Sequence, residues 1–274
     1  MEGSRKQGFL LEDYRLFHLS SPGGVTTEPH YHEFFKILFL LGGSGYYFVD
    51  GHRYRLCPGD VVLLPAGMVH RPALNPEEGY ERVILYLSQS YLEGLSTAFS
   101  QPVDIFSQGP ILRPRNNRLT RQLSRLERAI SEEGFGKDLL CQAELVKLLV
   151  LLGRCPENAL SPEPLMPRNP RVRQLLAFLD DHFTEELSID DLARQFFVSK
   201  YHMMRLFREE TGVTIHQYIL HKRLMLARSY LASGMNATQS CYRSGFGSYS
   251  AFTRACARLL GRSPTGRATP EPDE

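Results

Sequence analysis

Tryptophan is absent from the 274 residues, and the five cysteines, at 57, 141, 155, 241 and 256, form no Cys-x-x-Cys pair. An odd, scattered set argues against a disulfide framework and for free thiols in a reducing compartment. No apolar run approaches the roughly 18–20 residues of a membrane span; the stretch 37–41 is only strand length. The opening MEGSRKQGFLLEDYR meets acid and arginine too early for a secretory leader. Also missing are a phosphate-cradling glycine loop, a nucleophile set in a strand-turn-helix and any zinc-ligand spacing. These absences predict a cytoplasmic chain with no membrane partner, no cofactor and no resident metal. What remains is ordinary globular composition, 42% hydrophobic and 23% charged, enough for one large domain or two.

Charge is divided unevenly. Residues 1–167 hold 17 basic and 19 acidic side chains, residues 168–269 hold 15 and 8, and the tail 270–274 holds three acids. The basic excess of the C-terminal half is mostly arginine, which suits bidentate contacts to phosphate and base edges. A merely cationic surface would look the same on charge alone.

Residues 9–87 read as β structure. Short segments rich in Val, Leu, Phe and Tyr at 34–41, 46–49, 53–56, 61–64 and 82–87 alternate with turn chemistry at Gly42-Gly43-Ser44-Gly45, Asp50-Gly51 and Pro58-Gly59-Asp60. Asp50-Gly51 is a strong hairpin signal, because both residues tolerate φ > 0. Evenly spaced short strands suggest a sandwich or barrel. From about 115 the period becomes helical, with Leu119, Leu123, Leu126 and Ile130 on one face. After the break at Gly134-Phe135-Gly136, Leu139, Ala143, Val146 and Val150 predict the apolar face of a second helix. These helices suit either a core or a dimer face. Pro156, Pro162, Pro164, Pro167 and Pro170 mark a linker. Beyond it, Val172, Leu175, Leu176, Leu179 and Phe183 form a helical stripe. Ser188 is an N-cap, with Asp190 and Asp191 in the first turn where the helix dipole favours acids. Ser199 caps the next helix across a short turn, which is helix-turn-helix spacing. A long helix carrying Leu224 and Ala227 follows. The pattern then repeats more weakly, with a Gly245-Phe246-Gly247 turn, Ser248 as cap and a helix over 249–260.

LSIDDLARQFFVSKYHMMRLFREETGVTIHQYILHKRLMLARSYL and GFGSYSAFTRACARLLGRSP resemble the AraC/XylS family of transcription regulators over about 100 residues. Gly245-Phe246, Phe252-x-Arg254, Leu260-Gly261 and Ser263-Pro264 carry its C-terminal signature. The resemblance implies two helix-turn-helix units entering successive major grooves, which lie about 34 Å apart on one face of DNA. By family position, Tyr201, Met204 and Arg205 would face base edges from the first recognition helix. Ser248, Tyr249, Ser250, Thr253 and Arg254 hold the matching places on the second. Arg205 suits guanine, and Met204 suits thymine methyls. Lys200, His202, Arg208 and Arg243 would position the protein on phosphates. Three departures stand out: Phe197 where the first turn usually has glycine, and Ser240 and Cys256 where Ile and Phe are usual. The second unit is therefore expected to have a thinner core, binding more weakly or ordering only on DNA.

The N-terminal half resembles a cupin barrel over roughly residues 25–75. His30-Tyr31-His32, Lys36 and Gly43 follow its first motif; Gly59, Pro65, Gly67 and His70 follow its second. In enzymatic cupins two His, a Glu and a third His bind metal. Here Lys36 takes the Glu place, so a cation would sit against a cation. The resemblance implies an effector pocket formed by His30, His32, Lys36, His70 and Tyr46 for an anionic or hydroxylated small molecule, a sugar being the family's common theme. Tyr31 and Tyr86 are further candidate walls. Three histidines alone remain able to bind a metal, and rim residues with no ligand are the blandest alternative.

The expected architecture is α+β and multidomain: a cupin-like sensing barrel over 1–112, a helical dimerisation segment over 113–154, a proline-rich linker over 155–170, and an all-α domain with two helix-turn-helix units over 171–268. The expected function is transcription regulation, as an activator, by a homodimer with promoter DNA, an effector and RNA polymerase as partners. The competing expectation is a metal-dependent cupin enzyme with an appended helical domain.

Overall fold

This computed structural model describes residues 5–6, 10–114, 116–155, 164–260 and 264. Among the described residues the first half holds ten strands: β1 (Arg5–Lys6), β2 (Tyr14–Ser21), β3 (His30–Tyr31), β4 (Phe35–Gly42), β5 (Gly45–Val49), β6 (His52–Leu56), β7 (Val61–Leu64), β8 (His70–Leu74), β9 (Tyr80–Leu87) and β10 (Ile111–Leu112). They form two five-stranded sheets, ordered β1-β3-β8-β5-β6 and β10-β7-β4-β9-β2. All pairings are antiparallel except β1 on β3.

Side-chain alternation explains the layers. From β4, Leu38 and Leu40 point between the sheets, where they meet Tyr47, Val49, Leu56, Val62, Leu64 and Leu74. Ile37 and Phe39 point the other way, with Val61, Leu63, Val83 and Leu85, onto a helical layer. That layer is α1 (Gln89–Ala98), α2 (Arg118–Ser131) and α3 (Lys137–Gly153). β4 is thus buried on both faces, which is why it reads as a continuous apolar run. The Asp50-Gly51 hairpin forms with φ of 49° and 76°, the left-handed pair its sequence called for.

Several elements lacked a sequence signal. β8 contains Pro72, which argues against a strand flanked on both sides. β2 is a polar edge strand, and α1 is short. The expected face of α3 is a correction. The helix buries Cys141, Leu145, Leu148, Leu149 and Leu152, while Leu139 and Val150 stay 75% and 43% exposed. Apolar residues occur all round this helix, so periodicity alone does not choose the buried side.

The second half is helical: α4 (Pro170–His182), α5 (Ile189–Gln195), α6 (Lys200–Thr211), α7 (Ile215–Ala232), α8 (Ala237–Arg243) and α9 (Tyr249–Leu260). The stripe Val172, Leu175, Leu176 and Leu179 is buried against Leu192, Met203, Phe207 and Leu224. Ser188 accepts from the Asp190 and Asp191 amides, and Ser199 from His202. Thr214 and Gln217 add a reciprocal capping box at the start of α7. Pro170 is already the first residue of α4, capped by Asn169. The prolines at 156 and 162, Gly261, Ser263 and the acidic tail lie outside the described residues.

Candidate functional site

The two helix-turn-helix units are α5–α6 and α8–α9. On α6, Tyr201 is 82% exposed, and Met204 and Arg205 also face solvent. Arg205 lies near Glu209, with Nε 3.9 Å from its carboxylate, and its Nη2 is 3.5 Å from His202 Nδ1. Lys200 Nζ donates to Asp190 at 2.8 Å, an exposed pair of little strength that a phosphate can displace. On α9, Ser248 caps through the Ala251 amide at 3.2 Å and lies 3.3 Å from Ser250. Tyr249, Ser250 and Arg254 are exposed, and the Thr253 hydroxyl donates back to the Tyr249 carbonyl. Arg243 is exposed at the end of α8. Exposed Tyr242 beside it was missed, because nothing in its local pattern separates it from core.

Ser240 is fully buried, and its hydroxyl donates to the Asn236 carbonyl. Ser244 does likewise to Ser240 and Cys241. Phe246, Phe252, Ala255 and Cys256 complete the packing. The small residues are accommodated by back-bonded hydroxyls, which keep the buried oxygens satisfied.

Arg208 is engaged elsewhere. Its guanidinium donates to Glu28 of the first half at 2.8 Å. Around it the two halves dock. Asp50 at the β5–β6 hairpin lies 2.5 Å from the buried His221 of α7. Burial would raise the Asp50 carboxyl, but His221 beside it outweighs that and holds it below its usual value. Tyr31 and Val69 enter the core of the helical half. The Leu165 amide donates to the Arg53 carbonyl at 2.7 Å, tying the end of the linker to β6. None of these contacts between the halves carried a sequence signal, because long-range docking leaves no local periodicity.

Between the sheets, His30 on β3 pairs in register with His70 on β8, and His32 follows two residues on. Ring centroids are 4.4 Å apart for His30–His70, 5.0 Å for His32–His70 and 5.2 Å for His30–His32. The three are buried, and their ligand nitrogens lie within 4.8 Å of one another, close enough to hold one ion. Lys36 shares the inward face of β4 with Leu38 and Leu40, and its Nζ is 3.4 Å from His70 Nε2. His30 Nδ1 donates to the Glu28 carbonyl and His70 Nδ1 to the Met68 carbonyl, each at 2.9 Å. A carbonyl only accepts, so both rings carry the Nδ1 proton and turn an Nε2 lone pair inward. Burial, reinforced by Lys36, lowers both imidazoles and keeps them neutral. Tyr46 does not join this group: it faces the other side of β5, under the guanidinium of Arg53. Its neighbour Tyr47 does join, fully buried and stacked over His70 at 5.9 Å. A one-residue change of register exchanges faces, and the histidine spacing does not reveal which tyrosine points in. Tyr86 and Phe34 line the His32 side.

Known protein families match both halves of the chain. The AraC-like ligand binding domain matches residues 16–149, and a helix-turn-helix domain matches 192–266. The activator RhaS of Shigella sonnei is 28% identical over 268 residues, spanning 90% of this chain and 93% of RhaS; RhaS of Escherichia coli K12/DH10B gives the same figures. Among solved structures, ToxT from Vibrio cholerae O395 is 13% identical over 92% of this chain and 96% of ToxT, with a TM-score of 0.37. Among the described residues no helix is long and apolar enough to cross a membrane. With a ligand-binding domain of this type ahead of two helix-turn-helix units, the chain belongs to the AraC family of DNA-binding transcription regulators.

Proposed function

We propose that the protein is a cytoplasmic, promoter-binding activator that works as a homodimer under the control of a small-molecule effector, without enzymatic activity of its own. Its parts are a sensing barrel at 1–112, a dimerisation segment at 113–154, a linker at 155–170 and a reading domain at 171–268. The observation that carries the proposal is the pair of capped recognition helices. α6 offers Tyr201, Met204 and Arg205 to solvent, and α9 offers Tyr249, Ser250 and Arg254. Arg205 and Arg254 read base edges; Lys200, His202, Arg208 and Arg243 hold phosphates. The exposed Leu139, Leu140 and Val150 of α3 favour pairing of two copies along that helix, a patch monomers seldom leave open. Contact with RNA polymerase follows from acting as an activator.

The effector sits at His30, His32, Lys36 and His70. Its control runs through Glu28, whose carbonyl anchors His30 and whose carboxylate holds Arg208. A ligand that moves His30 changes the hold on a phosphate-contacting side chain, giving two states of different DNA affinity. A metal-dependent cupin enzyme is the weaker reading, because Lys36 brings an ammonium to the fourth ligand place.

Selection of the full-length chain against random-sequence DNA at two salt concentrations tests the proposal. The expected result is a motif with two half-sites about one helical turn apart, and affinity that falls with salt. No enrichment at either salt would overturn it.

A further inference from the structure

Lys36 is the unresolved charge of the barrel. It is only 7% exposed, and among the described residues no carboxylate pairs with it. Among the described residues its hydrogen-bond partner is the neutral His70, at 3.4 Å. The charge that acts on it electrostatically, Arg82, is of the same sign. Arg82 points inward with Tyr80 and Ile84 on β9, occupied by the Ser21 hydroxyl at 2.8 Å and lying over the Tyr80 ring. An ammonium taken out of water is ordinarily paired, because its desolvation is otherwise uncompensated. Burial, with Arg82 adding to it, pushes Lys36 down to about 8, which leaves it mostly protonated at neutral pH. The neighbouring groups supply the complementary chemistry. His30 and His70 turn Nε2 lone pairs inward, and these accept protons from hydroxyls but offer nothing to an anion. The Tyr47 hydroxyl, fully buried against His70, has no partner among the described residues and is free to donate.

We propose that the ligand of the barrel is a small hydroxylated carboxylic acid, of the sugar-acid type, with its carboxylate on Lys36 and Tyr47 and its hydroxyls on His30 and His70. This deepens the effector reading above and rests on it. A neutral sugar would satisfy the imidazoles and leave the ammonium unpaired. A divalent cation would satisfy the imidazoles and be repelled by Lys36.

The test is thermal-shift titration of the full-length protein at pH 7 with gluconate and galacturonate, with glucose and galactose as neutral counterparts, and with zinc chloride. The acids are expected to raise the melting temperature with dissociation constants at least about tenfold below those of the neutral sugars. Lys36→Met should abolish that preference and Lys36→Arg should retain part of it. Tyr47→Phe, which removes one oxygen and keeps the packing, should weaken the acid several-fold and stands in if Lys36→Met does not fold. Acid affinity should fall about tenfold per pH unit above about 8, as Lys36 loses its proton. Equal shifts with neutral sugars, unaffected by Lys36→Met, would overturn the acid class and leave the effector reading standing. A zinc response lost in His32→Ala, without any acid response, would overturn it in favour of a metal site. Silence toward every probe would overturn it as well, and the DNA selection then decides separately whether the regulator reading survives.

Discussion

In the second helix-turn-helix unit the turn passes through Gly245 at φ 89°; in the first, the same left-handed position is held by Phe197 at φ 52°. The hydrogen bonds are otherwise the same. Phe197 donates to Arg194 and Val198 to Ala193, as Gly245 donates to Tyr242 and Phe246 to Cys241. Both helices thus end in a Schellman motif. The surroundings differ. A Cβ at Gly245 would lie 2.5 Å from the Thr184 carbonyl oxygen, whereas Phe197 projects its ring into water, 90% exposed. The left-handed turn is a requirement of the motif, met in one unit by freedom from a side chain and in the other by tolerated strain.

That comparison breaks most sharply at Gly245. Gly245→Ala combines a strained φ with a backbone collision, so a loss on the order of 3 kcal/mol is expected. Thermal unfolding of the full chain should show it, and an unchanged melting temperature would mean the turn is not under this constraint. Arg205→Ala should weaken specific DNA binding by about 1–3 kcal/mol and relax preference at one base position. Arg254→Ala, measured beside it by titration against matched and mismatched sites, tells whether both units read bases. A uniform loss over all sequences would make either arginine a phosphate contact. Phe197→Gly is expected to stabilise the protein by about 1 kcal/mol, because it relieves the left-handed strain without emptying a core. A decrease in stability would show that the exposed ring has a partner. Smallest is Glu28→Gln, which releases Arg208 of the first unit alone. DNA affinity should rise a few-fold and the salt slope should steepen slightly; no change would disconnect the barrel from the reading helix.

Whatever is written in local periodicity and capping was legible in the sequence. Ser188 and Ser199 sit at helix starts because a side-chain oxygen must satisfy free amides there. Asp50-Gly51 turns because few other pairs adopt two left-handed conformations. His30, His32, Lys36 and His70 come together as the motif spacing implied. Where two apolar stripes compete, as on α3, the pattern does not name the buried one. Where faces alternate, as at Tyr46 and Tyr47, one residue of register decides membership of the pocket. The docking of Asp50 on His221 and of Glu28 on Arg208 was invisible, since those residues sit in segments whose local pattern is complete without each other.

Two glycines shape that docking surface. A Cβ at Gly51 would lie 2.7 Å from the Tyr218 ring, and one at Gly212 would lie 2.7 Å from Arg71 and 3.1 Å from Phe48. Every missense change from a glycine codon adds such a carbon. Any single-nucleotide missense change at these two codons is therefore expected to loosen the contact between the two halves, and faster limited proteolysis of such variants would report it.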